Sequence, residues 1–300
     1  MRTETVSSPA PDMTPSIPLD PLMRISDTEF NLIRTLVYER FGINLTEAKK
    51  SLVVGRLQKT IRSLGMKSFK QYYDYLIADT TGQAITTLIN RISTNHTFFY
   101  RESSHFDFFR SRVLPEITNC LNQANSRDVR IWCAGCSSGE EAYTLMIELM
   151  EFYGNEYRQW DVGLLATDIS TQALQKALQG EYSEDNVANL PAAARRYFIK
   201  AGPDRYRVRD ELKREITFRR FNLMTPTFPF RRPFHVIFCR NVMIYFDQPT
   251  RAELSQKFYD CLVPGGYFFI GHSESLGREQ QMFQYVVPAV YRKREERLKP

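Results

Sequence analysis

The apolar positions of the chain fall into two regimes. Between residues 26 and 92 they recur at helical spacing. Ser26-Asp27-Thr28-Glu29 has the form of a capping box, in which Ser26 accepts from the third helical amide and Glu29 reaches back to Ser26. Phe30, Ile33, Leu36 and Val37 then share one face. A second amphipathic stretch from Glu47 to Leu64 stops at Gly65, a residue suited to a left-handed helix end. Further helices are predicted over Phe69 to Ile77 and Gln83 to Ile92, and no strand pattern interrupts them. Residues 23–92 are therefore expected to form a helical domain, followed by an interdomain linker and helix over 93–128.

From Arg130 the pattern changes. Short apolar runs at Arg130 to Ala134 and Asp161 to Thr167 alternate with helical stretches at Gly139 to Phe152 and Thr171 to Leu178. Later strands are predicted at Ile216 to Phe221, Phe234 to Cys239, Tyr267 to Gly271, Phe283 to Tyr285 and Val290 to Arg292. Such alternation builds βαβ units, so residues 129–300 are expected to form a doubly wound α/β domain on a largely parallel sheet. Within it, Tyr197-Phe198-Ile199 and Tyr206-Arg207-Val208 flank Gly202-Pro203-Asp204 and read as strand, turn, strand. A small antiparallel β insertion is expected at about 181–214, exposed and placed to meet a partner.

Composition narrows the picture. With 300 residues there is room for two domains, and 43% hydrophobic content with 21 Phe and 16 Tyr excludes general disorder. Residues 1–22 are the exception: Pro9, Pro11, Pro15, Pro18 and Pro21 with few large apolar side chains predict a flexible tail. No stretch approaches the roughly 18 apolar residues that cross a bilayer, so a cytoplasmic protein that is not membrane-embedded is expected. Five cysteines form an odd set without a disulfide framework. Cys133-Ala-Gly-Cys136 has redox spacing, but no second CxxC or paired histidine completes a metal site, and no metal is expected. The net charge of +6 calls for an acidic partner, whether nucleic acid, anionic membrane or protein.

The chemistry concentrates at predicted strand ends. Val129 to Glu141 runs from a strand through a loop with Gly135 and Gly139 into a helix, the form taken where a cofactor approaches the backbone closely. This loop lacks the Lys-Ser/Thr of a P-loop, and Glu140 and Glu141 at the helix start would repel pyrophosphate. A nucleoside without phosphates fits better, and S-adenosylmethionine, with its sulfonium, ammonium and ribose hydroxyls, meets that requirement. The same two acids also suit a helix N-terminus without any ligand. Asp168, ending the second strand, is placed either to accept from ribose hydroxyls or to cap the next helix. Asn222 with Leu223 after the third strand suits an adenine edge and face, and Asn241 and Tyr245 after the fourth could border the reacting methyl.

Four segments in order carry a resemblance: Ser93-Thr-Asn-His-Thr-Phe-Phe-Tyr-Arg-Glu102, Cys136-Ser-Ser-Gly-Glu-Glu141, Cys239-Arg-Asn-Val-Met-Ile-Tyr-Phe-Asp247, and Gly265-Gly266 leading to Gly271-His-Ser-Glu-Ser-Leu276. Over almost the whole chain beyond the tail, the sequence resembles the bacterial chemotaxis receptor methyltransferases, the CheR family, which methylate glutamate side chains of chemoreceptors. The resemblance implies a class I methyltransferase-type sheet behind a small all-α N-terminal domain. It implies S-adenosyl-L-methionine as donor, with S-adenosyl-L-homocysteine as product, and the cytoplasmic methylation helices of chemoreceptors as partners. It also implies that Asn95, Thr97, Arg101, Glu140, Asp168, Asn222, Leu223, Asn241 and Val242 line the donor site, with Arg101 and Tyr245 near the transferred methyl. Phe98-Phe99-Tyr100 stands where the family more often has two phenylalanines directly before the arginine, with the spacing kept. The turn of the β insertion looks shorter than in family members that tether to a receptor's C-terminal peptide, so tethering is not expected.

A glutamate acceptor, with a reference pKa of about 4.3, is ionised near neutral pH and needs no general base. Its attack on a sulfonium methyl removes charge, so a closed, poorly hydrated site with in-line orientation should supply most of the rate. On the helical domain, Arg56, Lys59 and Arg62 follow at steps of three and form either a solvated face or a dock for acidic receptor helices. Two rival functions stand beside this one. A nucleic-acid methyltransferase would carry Asn/Asp-Pro-Pro-aromatic or a Pro-Cys nucleophile, and Asn241-Val-Met-Ile is neither; nucleic acid is therefore not an expected partner. The other is a donor-binding regulatory or scaffold protein without turnover. A further protein or small-molecule regulator on the basic surface is compatible with the charge.

Overall fold

The computed structural model describes residues 23–277 and 282–294. The tail predicted for residues 1–22 lies outside the described residues. The chain opens with four helices, α1 (Asp27–Phe41), α2 (Lys50–Ser63), α3 (Phe69–Ala78) and α4 (Gln83–Ile92). The capping box forms as the sequence suggests: Ser26 Oγ accepts from Glu29 N at 3.2 Å, and Glu29 Oε2 accepts from Ser26 N at 2.9 Å. Gly42, at φ 69°, ends α1. Phe30, Ile33, Leu57, Phe69 and Leu88, all fully buried, centre a core that these helices share. An α-helix α5 (Ser104–Phe108) continues through a π-helical turn (Phe109–Val113) into α6 (Leu114–Gln123), leading to the sheet.

The sheet begins with β1 (Asp128–Ala134), α7 (Glu140–Tyr153), β2 (Asp161–Asp168) and α8 (Thr171–Gln179). The insertion follows: β3 (Glu181–Ser183), the short helices α9 (Glu184–Ala188) and α10 (Ala192–Arg195), β4 (Phe198–Gly202), β5 (Arg205–Val208) and α11 (Asp210–Arg214). Its three strands run β3-β5-β4, antiparallel throughout. β3 was not anticipated. It is three residues long, buries only Tyr182, and is defined by its pairing with β5. The chain then returns through β6 (Ile216–Arg220), β7 (Phe234–Cys239), α12 (Gln248–Cys261), β8 (Leu262–Ile270), β9 (Phe283–Val287) and β10 (Val290–Lys293).

The main sheet has seven strands in the order β6-β2-β1-β7-β8-β10-β9. β6, β2, β1, β7 and β8 are parallel, and β10 is antiparallel to both β8 and β9. The expected doubly wound sheet with an all-α domain and a small antiparallel insertion is thus present. Strand order reverses between β1 and β7, and a ligand crevice of such sheets opens at that switch point, beyond the carboxyl ends of the strands. The helical domain closes over this edge. Ile43 bridges Phe246, Asn44 N donates to Tyr245 O at 2.8 Å, and Tyr38 Oη donates to Asp247 Oδ2 at 2.9 Å. On the other flank, Ser170 Oγ donates to Asn90 Oδ1 at 2.9 Å.

Candidate functional site: a cavity between the helical domain and the sheet

At this junction lies a cavity of about 1230 Å³, mouth included. The linker after α4 supplies Asn95, Thr97 and Arg101 to its wall; the ends of β2 and β6 supply Asp168, Asn222 and Leu223; the loop after β7 supplies Asn241, Val242 and Tyr245. Of the residues expected at the donor site, Glu140 alone is not on this wall. It starts α7 buried, with its carboxylate accepting from Ser138 Oγ at 2.7 Å, and burial raises its pKa. Glu141 faces the cavity instead. Neighbouring helical positions differ by about 100° around the axis, so only one of the two acids can point that way.

Each wall element is held by backbone chemistry. Asp168 is buried and its oxygens accept from Ser137 N and Ser170 N, both at 2.8 Å. It joins the glycine loop to the end of β2, while Ser170, not Asp168, caps α8 through Ala173 N. Burial raises the Asp168 pKa against these amide contacts. Ser137 Oγ donates to Asn95 O at 3.1 Å, which ties the linker to the same loop. Asn222 Nδ2 donates to Arg40 O at 2.8 Å and its Oδ1 accepts from Met224 N at 3.0 Å, so this carboxamide also joins the two domains.

Gly135 lines the cavity, and both glycines also make room for neighbouring parts of the protein. At Gly135 (φ 91°) an added Cβ would overlap Val242, and at Gly139 (φ 101°) it would lie 2.9 Å from Ala177 Cβ. The room they leave is filled by protein: Val242 crosses the loop, and α8 packs on the start of α7. Cys133 and Cys136 are free and fully buried beneath, and burial raises both thiols well above their usual range, which suits inert core residues.

Arg101 donates through Nη1 to His96 O at 2.9 Å and lies over the Phe98 ring. Tyr245 Oη stands 3.5 Å from Thr94 O, and Lys49 Nζ lies 5.9 Å from the centre of its ring. Lys49 also lines the cavity, as does Arg56. Arg56 ties α2 to the end of α4 and the start of the linker, donating to Ile92 O, to Ser93 O at 3.2 Å and to Thr94 Oγ1 at 2.8 Å. Of Arg56, Lys59 and Arg62 on α2, Lys59 is the exposed one; Arg62 is half-buried, and neither Lys59 nor Arg62 lines the cavity.

Sequence reasoning passed over a set of charged residues in and behind the wall, Arg240 lining the cavity and Glu102 and Glu274 lying outside its lining. Arg240 follows β7 and is buried, its side chain without exposure. It pairs with Glu141 Oε2 at 2.8 Å and Glu102 Oε2 at 3.0 Å. Glu274 accepts from Gly271 N, from Asn241 N at 2.9 Å and from Ile244 N at 3.0 Å, fixing the loop that carries Asn241 and Tyr245. A charged residue directly after the apolar run Phe234 to Cys239 was the available signal for Arg240, since a buried guanidinium must be paired.

The donor set fits S-adenosylmethionine. Asp168 and Glu141 offer carboxylates to hydroxyl and cationic groups, Phe221, Leu223 and Val242 offer apolar faces to a base, and Asn95 and Asn241 offer amides. Among the described residues no helix is long and apolar enough to cross a membrane.

Comparison with known proteins agrees. The family model described as CheR methyltransferase, SAM binding domain, matches residues 95–291, and that of the CheR methyltransferase all-alpha domain matches residues 28–93. A chemotaxis protein methyltransferase of Borreliella burgdorferi is 42% identical over 272 residues, covering 90% of this chain and 96% of that protein. That of Escherichia coli is 36% identical over 273 residues, covering 90% and 92% respectively. That of Salmonella typhimurium is 33% identical over 291 residues, covering 96% and 97%. With a family model on each domain and relatives of matching length, the chain belongs to the CheR methyltransferase family and is an S-adenosylmethionine-dependent methyltransferase of chemotaxis.

Proposed function

We propose that the enzyme methylates glutamate side chains on the cytoplasmic helices of chemoreceptors, and that the cavity between the domains is where donor and acceptor meet. The observation that carries this reading is the convergence of Arg101, from the linker, and Tyr245, from the loop after β7, on a cavity whose other walls suit the donor. Bound S-adenosylmethionine supplies an activated methyl group. The protein has only to orient the acceptor and keep water away, because a glutamate carboxylate is already ionised near neutral pH. In this reading Asp168 holds the ribose hydroxyls and Glu141 takes the place first given to Glu140. Leu223 and Val242 flank the base, with Asn95, Thr97, Asn222 and Asn241 completing the donor site.

Arg101 holds a carboxylate, of donor or acceptor, through the planar fork of its guanidinium. Tyr245 orients the acceptor. Lys59 and Arg62 on α2 meet the acidic receptor helix, while Arg56 contributes from the cavity wall. The tight turn at Pro203–Asp204 between β4 and β5 supports a receptor encounter without a C-terminal tether. Receptor helices of this kind place the enzyme in the cytoplasm. Arg101→Ala and Tyr245→Phe test the arrangement: each should lower kcat on a receptor cytoplasmic fragment by tenfold or more, on the order of what one lost orienting contact costs. Full activity of both variants would remove these roles.

A further inference from the structure

We propose that Arg240 is a positioning residue for methyl transfer, acting on the reacting groups through Arg101. The inference rests on the reading of Arg101 given above. Arg240 contacts three segments of chain at once. Its Nη1 donates to Glu141 Oε2 at 2.8 Å, at the start of α7. Its Nη2 donates to Glu102 Oε2 at 3.0 Å and to the main-chain carbonyl of Arg101 itself. Its own backbone lies between β7 and Asn241, whose Nδ2 donates to Glu102 Oε1 at 3.2 Å. The guanidinium also stacks on Phe106, 5.2 Å from the ring centre, so it cannot swing away.

Such a hold is needed because of the backbone around Arg101. Tyr100 and Glu102 both have positive φ, 56° and 58°, which side chains other than glycine adopt only where the surroundings impose it. Two left-handed residues set the direction in which Arg101 leaves the chain. Between them, one carbonyl is fixed by Arg240 and one carboxylate by Arg240, Asn241 and the His272 amide at 3.1 Å. Burial opposes ionisation of Glu102, but the charge of Arg240 and these hydrogen bonds outweigh it and keep its pKa below the usual value.

Glu102, His105 and His272 bring their ligand atoms within 4.8 Å of one another, a spacing that a metal could use. The Arg240 guanidinium already occupies Glu102 Oε2, and a dication would have to sit beside that buried positive charge. The cluster therefore belongs to the same brace. Lysine cannot replace Arg240, because one ammonium lacks the fork that reaches Glu141 and Glu102 together.

The test is a double-mutant cycle of Arg240→Lys and Arg101→Ala, measured as kcat on a receptor cytoplasmic fragment at saturating donor. Arg240→Lys alone should lower kcat by about tenfold to a hundredfold, the range expected when a reacting group is misplaced by about 1 Å. In the Arg101→Ala background the same substitution should change kcat by less than about twofold. An equal loss in both backgrounds, or no loss in either, would overturn the proposal. Wild-type kcat in Arg101→Ala alone would instead remove the role given to Arg101, and this proposal with it. If Arg240→Lys does not fold, Glu102→Gln takes its place in the cycle, because it weakens the brace while leaving the Arg240–Glu141 pair. Its kcat loss should likewise vanish without Arg101, and a loss that persists there would count against the proposal.

Discussion

The Ser137 amide donates to the Asp168 carboxylate at 2.8 Å, and through this contact the glycine loop after β1 is fixed to the end of β2. The same carboxylate accepts from Ser170 N, so it organises two loops as well as facing the cavity. Asp168→Ala should lower donor affinity tenfold to a hundredfold, since a lost charge-assisted hydrogen bond costs about 1.5 to 3 kcal/mol. It should also lower stability by about 1 to 3 kcal/mol, because two buried amides lose their acceptor. Calorimetric titration of the folded variant with donor decides the point. Unchanged affinity would leave Asp168 a structural residue only.

Gly135→Ala places a methyl group against Val242 at a backbone conformation that alanine disfavours. Overpacking of this kind costs about 1 to 3 kcal/mol, and the positive φ adds to it. Urea denaturation should show the loss, and displacement of Val242 should weaken donor binding in parallel. Wild-type stability would mean that the loop yields where the packing indicates that it cannot.

Lys59→Glu should raise the KM for a receptor fragment severalfold, flatten its dependence on salt, and leave donor affinity unchanged, because Lys59 is exposed on α2 and away from the cavity. Steady-state kinetics at two ionic strengths test this. An unchanged KM would make the basic face of α2 an ordinary solvated surface.

His105 gives the fold a dependence on pH. Burial, and then the charges of Arg240 and His272, lower its pKa from 6.5 to about 4 against the opposing pull of Glu102. Between those values the unfolded chain binds a proton that the native chain does not, so this contribution is present above about pH 6.5 and is lost as the pH falls toward 4. The loss between pH 7 and pH 5 should be about 2 kcal/mol. Comparison of wild type with His105→Phe by urea denaturation at both pH values isolates it from the acids that also titrate there. Identical pH slopes would show that His105 takes up its proton alike in the native and unfolded states.

Much of this fold was legible because local chemistry and burial agree. The helix at Gln83–Ile92 and the strand at Phe234–Cys239 have the bounds that their apolar patterns suggest, and the capping box at Ser26 forms in full. Helix α12 was not legible: it is largely polar and buries only Leu254, Ser255 and Phe258, so its apolar face is narrow. Strand-end position placed Asp168, Asn222 and Asn241 beside one cavity, whereas Asn95, Thr97 and Arg101 on the linker were named only through the family resemblance; nine of the ten residues named line that cavity. Glu140 does not, because a one-residue step along a helix turns the side chain away. Arg240, Glu102 and Glu274 escaped notice because their roles lie in pairing between segments far apart in sequence, which spacing along the chain does not encode.

Labelled S-adenosylmethionine tests whether the acceptor is a glutamate carboxylate. Two versions of one receptor cytoplasmic fragment would be incubated with the enzyme, one with glutamate at the methylation positions and one with glutamine there. Base-labile label is expected on the glutamate fragment, as a methyl ester requires, and none on the glutamine fragment. Equal labelling of both fragments, base-stable label, or no label on the glutamate fragment would contradict a glutamate acceptor.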